Sequence, residues 1–159
     1  MIAVLYPVVA LGILLLQLLL RRHRSLTLLG VIHPVISLII TLYLIVSPGI
    51  WDDSPFFLID HISLFVMLIT SIIFAAAALY AVGYIDGLVR SGDLEKRSLR
   101  IFYFGFSFLL AATTMAIFTL NIALFWICAE LTTVLSAMLI AILALRATID
   151  ASLKYIFIC

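Results

Sequence analysis

Charge is scarce in this sequence. Only 11% of its 159 residues are Asp, Glu, Lys or Arg, and the signs nearly cancel, 9 basic against 8 acidic. A net charge of +1 excludes a globally basic surface of the kind that holds nucleic acid, and no run interleaves Lys or Arg with aromatics for phosphate tracking and base stacking. Nucleic acid is not an expected partner. Cysteine is scarce too: Cys128 lies in an apolar run and Cys159 is the last residue, with neither the number nor the spacing of a disulfide framework or a zinc site. Both read as apolar side chains at lipid depth. The sequence also lacks a Gly-rich phosphate loop, a His/Glu pair with metal spacing, a C-x-x-C pair and a nucleophile elbow, so neither a metal nor a redox cofactor is expected to bind here.

What the chain has in excess is apolar surface. With 67% hydrophobic residues and a mean hydropathy of +1.38, it carries more than one soluble core can bury, so its main solvent must be lipid. A helix crossing about 30 Å of hydrocarbon needs about 20 mainly apolar residues. That length recurs, at roughly 2–20, 26–46, 56–84, 101–120 and 122–145, with a further start at 152–159. The expected fold is all-α: one polytopic transmembrane bundle of about five complete spans and the beginning of a sixth. Ser47-Pro48-Gly49 and Asp52-Asp53-Ser54-Pro55 have turn chemistry, Asn121 is a hinge between spans, and Asp86-Gly87 through Arg100 reads as the one sizeable polar loop.

Met1 to Leu20 carries no charge and is followed by Arg21, Arg22, His23 and Arg24, the reverse of a secretory signal. It reads as a retained first span with its N-terminus outside. All 9 Lys and Arg residues then fall on the inner side, namely Arg21, Arg22, Arg24, Arg90, Lys96, Arg97, Arg100, Arg146 and Lys154. Asp52 and Asp53 fall outside, as the positive-inside bias requires. Trp51, Tyr43 and Tyr84 stand near span ends, where amphipathic aromatics settle.

Glu130 is the candidate that carries chemistry. It falls about 13 Å into the fifth span, near the bilayer midplane, where an ionised carboxylate costs at least about 2.5–3.5 kcal/mol. It must therefore be neutral, paired, or turned toward water or protein. One reading is a proton or ion relay whose affinity a nearby positive group switches; the other is a protonated acid bonding two helices. Thr133 lies one turn beyond it and Trp126 one turn before, with Thr132 and Ser136 on an adjoining face. These hydroxyls could hold the carboxylate or serve helix approach. Lys154, beside Tyr155, reads as a snorkelling anchor from position alone. His33, next to Pro34 in the second span, is either a relay member or a neutral histidine bonded at a kink. Asp60 and Ser63 could line an outer site or cap the third helix. An intramembrane enzyme using Glu130 as acid/base would find its only second group at matching depth in His33, which would have to lie within hydrogen-bond reach.

Phe125-Trp126-Ile127-Cys128-Ala129-Glu130-Leu131-Thr132-Thr133, followed by Ala151-Ser152-Leu153-Lys154-Tyr155, resembles the fifth and sixth helices of the antiporter-like, proton-translocating subunits of respiratory complex I, membrane-bound hydrogenases and Mrp-type antiporters. The Trp-x-x-x-Glu and Ala-x-x-Lys-Tyr patterns are most like the hydrogenase-4 branch of that family. Asp60-His61-Ile62-Ser63 resembles the Asp-x-x-Ser that opens the third helix of these subunits, and Tyr80 to Tyr84 falls at its tyrosine-rich end. The first two spans match only in length and polarity. The resemblance implies an N-terminal fragment of a longer multi-pass subunit of the inner (cytoplasmic) membrane, built on two inverted five-helix repeats. Within it Glu130 takes the role of the proton-carrying glutamate and Lys154 that of the sixth-helix lysine, while the family's seventh-helix lysine has no counterpart before Cys159. It implies as partners other membrane subunits, a peripheral redox arm of NADH-quinone oxidoreductase or hydrogenase type, and the bilayer. The implied cargo is H⁺, with Na⁺ as an alternative if the chain serves a multi-subunit Na⁺/H⁺ antiporter. A structural scaffold is the competing reading from another class.

Overall fold

A computed structural model describes residues 5–20, 23–47, 56–92, 96–142, 153–155 and 157–158. They form five helices, α1 (Leu5–Leu19), α2 (His23–Val46), α3 (His61–Ser91), α4 (Lys96–Phe118) and α5 (Ile122–Ile142), with helical residues again at 153–155 and 157–158. Trp51 and the Asp52-Asp53 turn, Arg21, Arg22, Arg146 and Cys159 lie outside the described residues. α2 from Arg24, α3, α4 from Ser98 and α5 are each long and apolar enough to cross a membrane. α1, with 15 described residues, measures about 22 Å. The five complete spans expected are thus four helices of crossing length and one shorter apolar helix.

Direction follows from side-chain contacts. Tyr6 near the start of α1 meets Phe118 at the end of α4, with ring centroids 5.1 Å apart, while Gln17 near the end of α1 bonds Ser107 in mid-α4. α1 and α4 are therefore antiparallel. Tyr6 also bonds Thr41 near the end of α2, so α2 is antiparallel to α1 and parallel to α4. The alternation gathers Arg24, Arg90 and Arg100 at one end, the basic end, and Asp60 and Asn121 at the other. α4 is the central helix: it contacts each of the others, and 56% of its apolar stretch is buried against 17% for α5, which packs chiefly on α4.

Lipid is as apolar as leucine, so helices in it associate through close approach and polar bonds rather than by hydrophobic burial. Small residues at the contacts supply the approach. Ala78 and Ala81 of α3 join Leu26, Phe102, Tyr103 and Phe106 in a cluster toward the basic end. Gly30 lets the Tyr103 ring lie on the α2 backbone, since a Cβ there would stand 2.5 Å from Tyr103 Cδ1. Toward the Asp60 end, Tyr6, Leu44, Ile59, Leu64, Met67, Leu110 and Phe118 form a second cluster. Outward-facing residues such as Val8, Ile39, Ile62 and Ile73 are exposed, the surface a lipid solvent asks for.

The ends show local chemistry at work and correct two expected boundaries. The third helix does not begin at Phe56. Asp60 is its N-cap in a capping box, accepting from the Ser63 N–H at 2.7 Å while the Ser63 hydroxyl accepts from the Asp60 N–H at 2.9 Å. Residues 56–58 instead run extended beside the end of α4, Leu58 N–H donating to the Phe118 carbonyl and Leu120 N–H to that of Phe56. This gives the Phe118 carbonyl, the last of α4, a partner it lacks within the helix. Nor is Asp86-Gly87 the start of a loop: α3 runs through it to Ser91. A helical Gly costs only about 1 kcal/mol, and the stop comes at Gly92, whose φ of 83° is left-handed and whose N–H reaches the Leu88 carbonyl. Asn121, the expected hinge, caps α5 by accepting from the N–H groups of Ala123 and Leu124. Arg100 donates to the Leu20 carbonyl just past α1.

Candidate functional site

Asn121 starts α5 at the Asp60 end, and Glu130 follows eight residues after Ile122, so about 12 Å along the helix. The face of α5 against α4 carries Cys128, Leu135 and Leu139, all buried; Ala137, also buried, lies on the opposite side, two turns beyond Glu130. Glu130 is exposed on the other side, as are Trp126, Ile127 and Val134. Among the described residues no hydrogen bond or ion pair reaches its carboxylate. The hydroxyls expected near it serve their own helix: Thr132 and Thr133 donate to the Ala129 carbonyl and Ser136 to that of Thr132. Lys154 is exposed in a helical stretch and makes no ion pair with Glu130.

Asp60 and Ser63 are bound up in the α3 cap. Hydrogen bonding by Ser63, side chain and then backbone, holds the Asp60 carboxyl below the usual carboxylate range. His33 lies in the interior of the other helices, 4% exposed, whereas Glu130 faces outward from α5, and no hydrogen bond joins them. The pair required by an intramembrane acid/base enzyme is not formed.

His33 belongs instead to a buried polar seam that threads α1 to α4. On α2, His33, Ser37 and Thr41 follow at intervals of one turn, all buried. The Ser37 hydroxyl meets that of Ser71 on α3 at 3.2 Å, and Thr41 meets Tyr6 on α1 at 2.7 Å. Thr41 donates its hydrogen to the Ser37 carbonyl at 2.8 Å, so in the other bond Tyr6 is the donor. Gln17, fully buried, donates through Nε2 to the Ser107 hydroxyl of α4 at 2.8 Å. Sequence reasoning found His33 and missed Gln17, Ser37, Thr41, Ser71 and Ser107. The signals were there: Gln17 is the only amide side chain before the basic cluster, and the polar residues of α2 are spaced to share a helix face.

No family model matches the chain, and no solved structure does. In sequence it is 29% identical to the Hydrogenase-4 component F homolog of Methylacidiphilum infernorum (isolate V4) over 154 residues, which is 96% of this chain and 31% of that protein. The chain thus spans under a third of this relative's length. The likeness read from the Glu130 and Lys154-Tyr155 motifs is one that comparison of nearly the whole chain also returns: it is similar to a component F homolog of hydrogenase-4.

Proposed function

We propose that the chain works as part of a proton-translocating, multi-pass membrane subunit of a hydrogenase-like or complex I-like assembly, its basic end on the cytoplasmic side and its N-terminus outside. Glu130 carries the proton, and a lysine moving near it sets its affinity, Lys154 being the lysine of this chain in the matching motif. A cation close to the carboxylate favours the ionised form and releases the proton; withdrawing the cation favours uptake.

One observation carries this reading. Glu130 stands deep in an apolar helix, on a side that α4 does not cover, and nothing among the described residues bonds to it. A lipid-facing carboxylate at that depth is costly when ionised, and as a mere bond between helices it would need a partner that the described helices do not offer. An acid kept there without a fixed partner is free to exchange its proton as its surroundings change. The test is Glu130→Gln in the full-length subunit within its assembled complex, reading protons moved per electron pair. The expected result is loss of translocation with assembly intact; unchanged translocation would overturn the relay. Replacing H⁺ gradients by Na⁺ gradients in the same assay identifies the coupling ion.

A further inference from the structure

At the basic end, α2 and α3 leave a cavity of about 260 Å³ between them, open on its outer side and lined by Arg24, Thr27 and Leu28 of α2 and Asp86 of α3. Behind it Tyr103 is buried, its side chain hydrogen-bonded to Thr27 and within the field of Asp86. The cavity thus has one wall positive and one negative. Arg24 nevertheless forms no ion pair, with Asp86 or with any other described residue. The level of the cavity follows from α3, whose 31 residues measure about 46 Å against about 30 Å of hydrocarbon. Its last turns therefore project into a headgroup layer. Tyr80 and Tyr84, exposed and stacked with ring centroids 5.8 Å apart, are the amphipathic aromatics that settle at that boundary, and Asp86 lies just beyond them toward the basic end.

We propose that this cavity holds the headgroup of a phospholipid bearing a primary ammonium, of the phosphatidylethanolamine type, with the Arg24 guanidinium on its phosphate and the Asp86 carboxylate on its ammonium. Charge decides the class. A purely anionic headgroup meets Arg24 but is repelled by Asp86, and a quaternary ammonium brings Asp86 a charge without an N–H to donate. A phosphate and a primary ammonium two carbons apart serve both walls at once, the guanidinium taking phosphate oxygens through its fork of N–H groups. The surface beside the cavity suits the rest of the lipid. Leu28, Ile32, Val35 and Ile39 lie along one face of α2 and are all exposed. From Leu28 to Ile39 this apolar track measures about 16 Å, the depth of one leaflet of hydrocarbon. A lipid seated there clamps the start of α2 to the end of α3, independently of what Glu130 does.

The test uses the full-length subunit in its assembled complex, held in phosphatidylcholine nanodiscs with a trace of one of three lipids. These carry the same photoactivatable acyl chain and an ethanolamine, choline or glycerol headgroup, and mass spectrometry locates the label. Residues 28–39 should be labelled about fivefold more by the ethanolamine probe than by either other, the gain expected of one exposed charge pair. Exposed Ile73, about 20 Å along α3 from Asp86, should be labelled equally by all three. Arg24→Gln should lower labelling of residues 28–39 by the ethanolamine probe, and Asp86→Asn should abolish its advantage over the glycerol probe. Equal labelling of residues 28–39 by the three probes in the unaltered protein would make this an ordinary lipid-facing surface, and strongest labelling by the glycerol probe would make it an anionic-lipid site. Either result would overturn the proposal whatever the variants do, as would an ethanolamine preference that survives Asp86→Asn.

Discussion

The interior shared by α1 to α4 and the outer side of α5 handle polar groups in opposite ways. Within the four helices, Tyr6, Thr41, Ser37, Ser71, Gln17 and Ser107 bond one another or the backbone; Thr41 donates to a carbonyl and so fixes Tyr6 as its donor. Such a seam holds helices together in a solvent that gives them no hydrophobic reason to associate. On α5 the one acid has no bond among the described residues, and the hydroxyls beside it are turned to their own helix. Under the proposed reading, the bonded groups serve structure and the acid serves proton transfer.

Three substitutions sharpen that contrast on its structural side. Gly30→Ala should have the largest effect, a loss of about 1–3 kcal/mol, because the new Cβ meets a Tyr103 ring that is buried and hydrogen-bonded to Thr27. Gly105→Ala is the control: its Cβ meets the tip of Met138, which can swing aside. Unfolding in mixed detergent compares the two, and equal losses would mean that the Tyr103 contact is not tight. Next is Asp60→Ala, which removes the α3 cap at a cost of about 1 kcal/mol. The folded carboxyl titrates below its unfolded value, so its stabilisation is full above the unfolded pKa of about 3.9 and disappears as pH falls through the lower, folded value. A difference between Asp60→Ala and the parent that persists below that window would exclude the charge as its source. Tyr6→Phe should cost least, about 0.6 kcal/mol, the usual worth of a hydrogen bond between membrane helices.

Much of this was legible in the sequence. Long apolar helices could be read from apolar length and the Asp60/Ser63 cap from its residue types, while Asn121, expected as a hinge, turns out to cap α5. The first expected span is a shorter helix in the described residues. What the sequence hid was direction. In a soluble helix the polar face marks the outside, but α3 and α5 are apolar all round, and lipid-facing and protein-facing leucines look alike. The polar residues Ser37 and Thr41 do share a face of α2, but nothing in the sequence says which neighbouring helix that face meets. The same ambiguity is why Thr133 was expected beside the carboxylate when its hydroxyl bonds the Ala129 carbonyl. Asp86-Gly87 misled for a different reason: turn chemistry is a preference of about 1 kcal/mol, and a helix already held by Ala78, Ala81 and Ile85 in the cluster overrides it.

The most direct test sets the two regions side by side in one assay. Glu130→Gln and Tyr6→Phe are each built into the full-length subunit, and protons moved per electron pair are measured on complexes purified in equal amount. The expected result is that Glu130→Gln abolishes translocation while Tyr6→Phe leaves it at the parental value despite lower stability. Translocation that survives Glu130→Gln, or that fails in Tyr6→Phe, would contradict the division between a structural interior and a functional α5.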